Sequence, residues 1–231
     1  MKVSLIHLKV RNSLESNLTA AEEGIRKASE QKPAFIALPE YFSVPGSMEK
    51  FTSAEKISKK THRETLKFLS EISKEIPDSY IVGGTVLEED QGKFFNISTL
   101  WKNGVLIGKY RKKNLIAIEI KAGVSTGSEP AVFETGFCKV GLLVCADMFD
   151  SAIIAQTVSL GAEIVFLPVA ASGTHPCVKG HPLTERIASE NGVFVIKVGN
   201  VRSSTRGGRS AVIAPWGIIE EVSDAPKDSI I

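Results

Sequence analysis

The sequence predicts an α/β domain in which helices cover a mixed β-sheet system. Two observations indicate this fold class. Apolar strand patterns alternate with helical patterns in βαβ order, and an Asn-Gly pair at Asn103–Gly104 separates two strand patterns, which is typical of a hairpin turn. Crossovers give parallel pairs and hairpins give antiparallel ones, so both must occur in the sheets. Because no low-complexity linker or repeat interrupts the pattern, we expect one domain over residues 1–231.

The first half of the chain contains seven elements with clear periodicity. Strands are predicted where apolar residues run together or flank the Asn-Gly turn, and helices where apolar residues recur every three or four positions. In chain order they are a strand at Val3–Val10, a helix at Leu14–Ser29, a strand at Ala34–Leu38, a helix at about Glu55–Ile76, and strands at Tyr80–Gly84, Phe94–Trp101 and Val105–Tyr110.

The second half repeats the alternation and then ends in a hairpin around Pro215-Trp216-Gly217, a tight-turn sequence. The region between residues 111 and 139 is interpreted as a loop, and Ser223–Ile231 carries too little pattern to assign. The predicted elements are strands at Val140–Cys145, Ile164–Val169, Val193–Val198, Ser210–Ala214 and Gly217–Val222, and helices near Ala152–Leu160 and Leu183–Asn191.

Composition excludes several classes of function. The 43% of hydrophobic residues and 23% of charged residues are typical of a globular protein rather than a disordered one. A formal net charge of +2 gives no reason to expect nucleic acid or an anionic membrane as a partner. Three cysteines, an odd number, argue against a disulfide framework. With no secretory leader pattern and no apolar run of about 18 residues, we expect a cytoplasmic protein.

Three residues with reactive side chains follow strand patterns, the position where α/β folds present side chains to a ligand. Glu40 follows Leu38-Pro39, Lys112 lies in a charged run after a strand, and Cys145 ends an apolar strand before a helix. Each has an ordinary structural explanation. Glu40 and Lys112 fit a solvated surface, and a free cysteine in apolar surroundings is more often an inert core residue than a nucleophile. Cys138 is interpreted as structural.

Other sites are weaker alternatives. A Cys–His pair could use His7, His62, His175 or His181, but none lies in a pairing motif. His175, Cys177 and His181 match no standard zinc spacing, so we expect no metal. The Arg202–Arg209 stretch could hold an anion, although a flexible basic loop is the simpler interpretation, and the sequence has no phosphate-loop or dinucleotide fingerprint.

Read together, Ala37-Leu38-Pro39-Glu40-Tyr41, Lys109-Tyr110-Arg111-Lys112 and Val144-Cys145-Ala146-Asp147 resemble the nitrilase, or carbon–nitrogen hydrolase, superfamily in order and setting. The likeness runs from Val3 to about Val222. It implies the four-layer α-β-β-α sandwich of that family, with Glu40 as general base, Lys112 as oxyanion stabiliser and Cys145 as nucleophile. Glu119, seven residues after Lys112, is similar to the family's second glutamate, which positions the lysine and the attacked carbonyl.

The resemblance also implies the surroundings of the triad. The backbone N–H of Ala146 would share the oxyanion with Lys112, and Tyr41, Phe149 and the loop of His175 are candidates for the pocket lining. Neither a metal nor an organic cofactor is needed for this chemistry. A small-molecule amide is the expected partner, and a homodimer or larger homo-oligomer the expected assembly. A nearby ammonium favours a thiolate, so Cys145 is expected to react below the usual thiol pKa.

Departures from the family pattern leave the substrate open. Phe149-Asp150-Ser151, Asn114 and Ile187 stand where relatives often carry other residues. The leading prediction is an amidase that releases ammonia from a small linear amide through a thioester. An N-carbamoyl-amide hydrolase is the nearest alternative, followed by a nitrilase with the same triad. An acyltransferase and a catalytically silent binding or scaffold relative are the further alternatives.

Overall fold

The structure is a computed structural model that describes residues 1–46, 51–170, 181–202, 209–222 and 227–231. The five helices in these residues are α1 Leu14–Ser29, α2 Ala54–Glu75, α3 Ala117–Ala122, α4 Ser151–Ser159 and α5 Pro182–Asn191. Over the same part of the chain, no helix is both long and apolar enough to cross a membrane.

The described residues form fourteen strands. They are β1 Val3–Val10, β2 Phe35–Ala37, β3 Tyr80–Asp90, β4 Lys93–Lys102, β5 Val105–Arg111, β6 Val124–Ser125, β7 Ala131–Glu134, β8 Lys139–Leu142, β9 Ile164–Pro168, β10 Phe194–Val198, β11 Asn200–Arg202, β12 Ala211–Ala214, β13 Gly217–Glu221 and β14 Ser229–Ile230.

The strands form two sheets, each with parallel and antiparallel pairs. The first has the order β11-β1-β2-β3-β4-β5, with β14 added to β1 and β6 added to β4. Its β11, β1, β2 and β3 are parallel neighbours, whereas β3, β4 and β5 form an antiparallel meander. The second has the order β13-β12-β10-β9-β8-β7, with a parallel centre of β8, β9 and β10. This arrangement confirms the predicted mixed pairing.

Successive side chains of a strand point to opposite faces of its sheet, and this alternation explains how the sheets and helices form layers. Leu5 on β1, Phe35 on β2 and Val82 on β3 belong to one buried cluster together with Leu142 and Phe166 of the second sheet, so these faces meet. The neighbouring strand residues Ile6, Ile36 and Ile81 belong to a second buried cluster. This cluster also contains Ile25 of helix α1 and Leu69 of helix α2. Both faces of the first sheet are therefore buried, as its near-continuous apolar strands require.

Helices α4 and α5 cover the outer face of the second sheet, where Ile153, Ile154, Ile187 and Ala188 are buried. The architecture is a four-layer α-β-β-α sandwich, as expected from the sequence, and most predicted elements lie within two residues of their observed bounds.

The strand predicted at Val140–Cys145 ends earlier, at Leu142. The N–H of Leu143 still donates to the carbonyl of Phe166 on β9, but the N–H of Val144 donates to the side chain of Asp147, so the chain leaves the sheet after Leu143. A 3-10 turn at Cys145–Phe149 follows. The cysteine therefore lies just outside the sheet and not within its last strand residues.

Strand β3 continues to Asp90, beyond its predicted end at Gly84, and two regions contain elements that were not predicted. The stretch interpreted as a loop between residues 111 and 139 contains helix α3 and strands β6 and β7. The unassigned C-terminal residues contain β14, which pairs antiparallel with β1 through Ile6 and Ile230. These elements are short, so local periodicity did not reveal them, and β6 and β14 also depend on pairing with the distant strands β4 and β1.

Candidate active site

The sandwich brings the reactive strand-end residues together from both sheets. Glu40 follows β2 and Lys112 follows β5 in the first sheet, whereas Cys145 follows β8 in the second. All three residues are buried, with Glu40 and Lys112 at 1% exposure and Cys145 at 9%. The ordinary surface interpretation of Glu40 and Lys112 is therefore wrong, because neither residue is solvated.

Lys112 lies between two carboxylates. Its Nζ donates hydrogen bonds of 2.8 Å to Oε1 of Glu40 and 2.7 Å to Oε2 of Glu119. One ammonium thus pairs with two acidic groups, all of them buried. Charged groups are costly to bury unless they are paired and hydrogen-bonded, so the remaining oxygen atoms also need donors.

Glu40 is held by groups from both sheets. Its Oε1 also accepts a 2.9 Å hydrogen bond from Nδ2 of Asn96 on β4, and its Oε2 accepts one of 2.7 Å from the backbone N–H of Ala170, after β9. The side chain of Asn200 on β11 donates to the backbone carbonyl of Glu40 at 2.7 Å. The carboxylate is therefore fixed in one orientation relative to both sheets.

Glu119 is positioned by the short helix α3. Its Oε2 accepts a 3.0 Å hydrogen bond from the backbone N–H of Ile116, and its Oε1 accepts one of 2.7 Å from the hydroxyl of Tyr41 and one of 2.9 Å from Asn96. Helix α3 is only six residues long. The hydrogen bond from the N–H of Ile116 at its start to Glu119 in its first turn therefore helps to stabilise it. Tyr41, predicted to line the pocket, is 1% exposed and contacts the charged cluster.

Cys145 occupies an unusual backbone conformation. Its φ of 45° lies in the left-handed region, which is uncommon for a residue with a side chain. It is the first residue of the 3-10 turn Cys145–Phe149, and Ala146, the next residue, is buried. The backbone N–H groups at the start of such a turn have no acceptor within it. The N–H of Ala146, the oxyanion donor that the sequence resemblance implies, is one of these groups.

The turn is fixed by Asp147. Its Oδ2 accepts hydrogen bonds of 2.9 Å from both the backbone N–H of Val144 and the hydroxyl of Tyr110, and its Oδ1 accepts one of 2.8 Å from the N–H of Asn114. Tyr110 and Asn114 lie two residues before and two residues after Lys112. Asp147 thereby joins the segment that carries the lysine to the turn that carries the cysteine.

Burial and charge set the ionisation of the cluster. Burial raises the pKa of Glu40, and the ion pair with Lys112 opposes that rise. Burial also disfavours the charged form of Glu119, but Lys112 and the hydrogen bonds to that carboxylate lower its pKa overall. Burial disfavours the Lys112 ammonium, whereas Glu40, Cys145 and Glu119 together raise its pKa. At neutral pH, Lys112 is therefore cationic and Glu119 is anionic.

The expected activation of Cys145 by Lys112 needs a correction. Burial, followed by the charge of Glu40, raises the pKa of the thiol, and the opposing effect of Lys112 is smaller. Two carboxylates surround one ammonium, so the local charge disfavours a further anion. The resting nucleophile is consequently a thiol, and a base must remove its proton as it attacks.

The structure describes only some of the other residues that the sequence offered as pocket, anion or metal candidates. Phe149 ends the 3-10 turn and is 55% exposed, and Arg209 pairs with Glu221 at 3.5 Å. His175 and Cys177 lie outside the described residues, as does most of the Arg202–Arg209 stretch. Among the described residues, no group of three or more His, Cys, Asp or Glu side chains is arranged to hold a metal ion.

The three described histidines have partners away from Cys145. Nδ1 of His7 lies 2.9 Å from the hydroxyl of Ser210, and Nδ1 of His62 lies 2.9 Å from the carbonyl of Leu87. Nε2 of His181 lies 3.1 Å from Glu221. The Cys–His alternative therefore gains no support from these three residues.

Two residues that organise this site were not identified from the sequence. Asn96 donates to both Glu40 and Glu119, and Asp147 holds the turn after Cys145. A polar amide within the apolar strand Phe94–Trp101 was the signal for Asn96. Asp147 carried a weaker signal, namely a carboxylate two residues after a strand-end cysteine.

Comparisons with known proteins found a matching family and individual relatives. Residues 2–230 match the carbon–nitrogen hydrolase family. The omega-amidase NIT2 of Homo sapiens is 31% identical over 230 residues, which cover 94% of this chain and 82% of that protein. The omega-amidase NIT2 of Danio rerio is 29% identical and covers 100% of this chain and 86% of its own length.

Solved structures share the fold. Nit3 of Saccharomyces cerevisiae, a member of branch 10 of the nitrilase superfamily, superposes with a TM-score of 0.85 at 25% identity and covers 100% of this chain and 88% of its own. A mutant of the amidase from Nesterenkonia sp. AN1, with acrylamide added at its active-site cysteine, gives a TM-score of 0.84 at 22% identity, over 100% and 91% of the two chains.

Proposed function

We propose that this chain, which belongs to the carbon–nitrogen hydrolase family, is a cysteine-dependent amidase that releases ammonia from a small linear amide. The observation that carries the proposal is the buried Lys112 ammonium, which is held by Glu40 and Glu119, together with the contact between Glu40 and the thiol of Cys145. This set provides a nucleophile, a base and a positive charge for a developing oxyanion.

In the first step, Sγ of Cys145 forms a bond to the amide carbon while the thiol proton passes to Glu40. The raised pKa of Glu40 suits a general base, since a catalytic group works best when its pKa approaches the working pH. The carbonyl oxygen becomes an oxyanion, which Lys112 and the N–H of Ala146 stabilise. Losing one such donor typically costs ~10²–10³ in rate.

The tetrahedral intermediate then collapses with loss of ammonia. The C–N bond breaks as Glu40 returns its proton to the leaving nitrogen, and a thioester to Cys145 is left. A water molecule attacks the carbonyl carbon of this thioester while Glu40 accepts a proton from the water. A second oxyanion forms at the position that the first one occupied. When the C–S bond breaks, the sulfur regains the proton and a carboxylic acid is released.

The substrate class to test first is indicated by the relatives. The proteins at 31% and 29% identity are omega-amidases, so ω-amides of dicarboxylic acids are the first compounds in the panel. Short aliphatic amides, N-carbamoyl amino acids and nitriles complete it, because a hydrolase with this triad could act on each of them. Added hydroxylamine would trap the acyl group and reveal transfer to an acceptor other than water.

The test is ammonia release by the purified protein across this panel. We expect release from at least one amide, and we expect Cys145→Ala to abolish it. Cys138→Ala is the matched control, because Cys138 is also a free cysteine but lies outside the cluster, and it should retain activity. Nitriles or carbamoyl compounds as the sole substrates would replace the amidase proposal with one of its alternatives. A flat panel with an unreactive Cys145 would favour a silent relative.

A further inference from the structure

The four polar side chains at the centre of the site form a closed ring of hydrogen bonds. Lys112 Nζ donates to Glu40 Oε1 and Glu119 Oε2, and Asn96 Nδ2 donates 2.9 Å hydrogen bonds to Glu40 Oε1 and Glu119 Oε1. Each carboxylate is thus held by one ammonium and one amide. All four residues are buried, with Asn96 at 0% exposure.

We propose that Asn96 is a positioning residue that keeps Glu40 ionised and oriented toward Cys145. The inference rests on the proposed function, since Glu40 is the general base there. It extends that function because it assigns a role to a residue on β4 that is distant in sequence from Glu40 and Cys145. That role is to set the ionisation and orientation of Glu40.

The chemistry of an amide suits this place in the ring. Lys112 supplies one positive charge for two carboxylates, so an uncharged second donor is needed to satisfy both acids. An amide nitrogen carries two hydrogens and can serve both carboxylates at once. An aspartate in the same position would add a third acid, and a leucine would leave one lone pair on each carboxylate without this donor.

The orientation of the amide is set by its neighbours. Turning it over would place Oδ1 against two carboxylate oxygens, which repel it. In the observed orientation Oδ1 is buried and has no partner among the described residues. Buried polar atoms are seldom left unpaired, and each exception calls for an explanation. Here the explanation is that an unpaired Oδ1 is the cost of directing Nδ2 toward both carboxylates.

Asn96 also holds the lysine through the backbone. Its carbonyl accepts a 2.8 Å hydrogen bond from the N–H of Lys112. One residue of β4 therefore contacts Glu40, Glu119 and Lys112. Because β4 is hydrogen-bonded to both β3 and β5, it is a rigid support for these contacts.

The proposal makes a directional prediction for pH dependence. A hydrogen bond donated to a carboxylate favours its charged form, so loss of the Asn96 amide raises the pKa of Glu40. When the pH is lowered, Glu40 of the variant therefore becomes protonated at a higher pH than Glu40 of the wild type. Protonated Glu40 cannot accept the proton of Cys145. Besides Asn96, the groups that face Glu40 are Lys112, Glu119, Tyr41, the N–H of Ala170 and the thiol itself, and the substitution changes none of these groups.

The experiment measures the rate of Cys145 alkylation by iodoacetamide between about pH 4 and pH 9, followed by mass spectrometry. This readout needs no amide substrate. The variants are Asn96→Leu, which keeps the branching at Cγ but has no hydrogen-bonding atoms, and Asn96→Asp, which has the same shape. Thr99→Val is the matched control, because Thr99 is buried on the same strand and its hydroxyl has no partner among the described residues.

For Asn96→Leu we expect the acidic limb of the alkylation profile to move upward by about one pH unit, with about tenfold slower alkylation on that limb. Asn96→Asp should move it at least as far, because it adds negative charge. Thr99→Val should overlay the wild type. If Asn96→Leu does not fold, the Asn96→Asp profile decides the matter alone.

An acidic limb that stays in place in a folded Asn96 variant overturns the proposal, as does an equal shift in Thr99→Val. Failure of the proposed function gives a different pattern. Ammonia release would then be absent across the whole substrate panel, while the alkylation profiles would still report whether Asn96 controls Glu40.

Discussion

The hydroxyl of Tyr110 donates a 2.9 Å hydrogen bond to the carboxylate of Asp147, and both side chains are buried. Tyr110 lies on β5, two residues before Lys112, and Asp147 lies two residues after Cys145. The bond therefore joins strand β5 of the first sheet to the 3-10 turn that follows strand β8 of the second sheet. It ties the position of the ammonium to the position of the nucleophile.

Replacing Tyr110 with phenylalanine should affect both stability and activity. A buried hydrogen bond to a charged group contributes ~1.5–3 kcal/mol, and we expect a loss of that order in the free energy of unfolding. We also expect kcat/KM to fall about tenfold or more, because small displacements of reacting groups are costly. Urea denaturation and steady-state kinetics measure the two effects.

Tyr80→Phe is the control for this substitution. The Tyr80 hydroxyl accepts a 3.2 Å hydrogen bond from the exposed N–H of Gly136, and its ring packs against Phe35 and Phe137 rather than against the charged cluster. This variant should keep its kcat/KM. Equal kinetic losses in the two variants would show that Tyr110 supports the fold in general and not the alignment of the site.

Lys112→Met should leave two buried carboxylates without their cation. Removing one partner of a buried ion pair typically costs ~3–5 kcal/mol, and the loss should be larger at about pH 7 than at about pH 4, because protonation relieves the repulsion between Glu40 and Glu119. Activity should fall by ~10² or more. Thermal unfolding at the two pH values measures the first effect.

Lys113→Met provides the comparison for Lys112. Lys113 is the next residue in the chain, and its partly exposed side chain lies 3.4 Å from Asp150. Partly exposed pairs of this kind contribute about 1 kcal/mol or less. If Lys112→Met is as mild as Lys113→Met, the two carboxylates do not depend on the Lys112 ammonium for their charge.

His181 should make stability depend on pH. Burial, with a further effect of Lys197, lowers its pKa to about 4, and Glu221 opposes the shift. The unfolded chain therefore binds a proton near the ordinary pKa of 6.5, before the folded chain does. The stabilising contribution is complete above about pH 6.5 and is lost as pH falls toward about 4, by up to roughly 3 kcal/mol.

His181→Gln tests this expectation. The variant cannot titrate in this range, so its free energy of unfolding should fall less than that of the wild type between about pH 6.5 and pH 4. Chemical denaturation at several pH values gives both slopes. Parallel slopes for the two proteins would rule out a lowered pKa for His181.

Gly84 is required by a close approach to the segment that carries Glu40. Its φ is +56°, and a Cβ there would overlap the carbonyl oxygen of Pro39. We expect Gly84→Ala to displace Glu40 and to reduce kcat/KM about tenfold or more. Its loss of stability should exceed the ~1–2 kcal/mol that a left-handed backbone alone costs.

Gly92→Ala separates the two causes. Gly92 has a φ of +76°, but a Cβ there would meet nothing within 4 Å. This variant should lose only the backbone contribution to stability and should retain its activity. Activity in Gly84→Ala equal to that in Gly92→Ala would contradict the proposed effect of the contact with Pro39.

The sequence predicted the elements whose pattern is local. The bounds of β1 and α1, Val3–Val10 and Leu14–Ser29, agree with the prediction because an apolar strand and an amphipathic helix each carry many periodic positions. Helix α3, with six residues, spans too few turns to show a period. Strand β14 exists through its pairing with β1, at the other end of the chain, which no local window contains.

The site was predicted in its components and not in its arrangement. Glu40, Lys112, Glu119 and Cys145 were identified as candidates, and the structure brings the first three into direct contact. The raised pKa of Cys145 could not be predicted, because it depends first on the burial of the thiol and then on its proximity to Glu40 and Lys112, which only the folded structure fixes. Asn96 was missed because its role follows from tertiary packing, which brings the residue after β2 and the residue in α3 against its side chain.

The division of the site between two sheets has a consequence for synthesis. Glu40 and Lys112 belong to the first part of the chain, but Glu40 is held by Ala170 and Asn200, which are made much later. Chains emerge from the ribosome with the N-terminal part first. A nascent chain that already contains all four candidate catalytic residues therefore lacks the contacts that orient its base, and competence for hydrolysis should appear only after Asn200 has emerged.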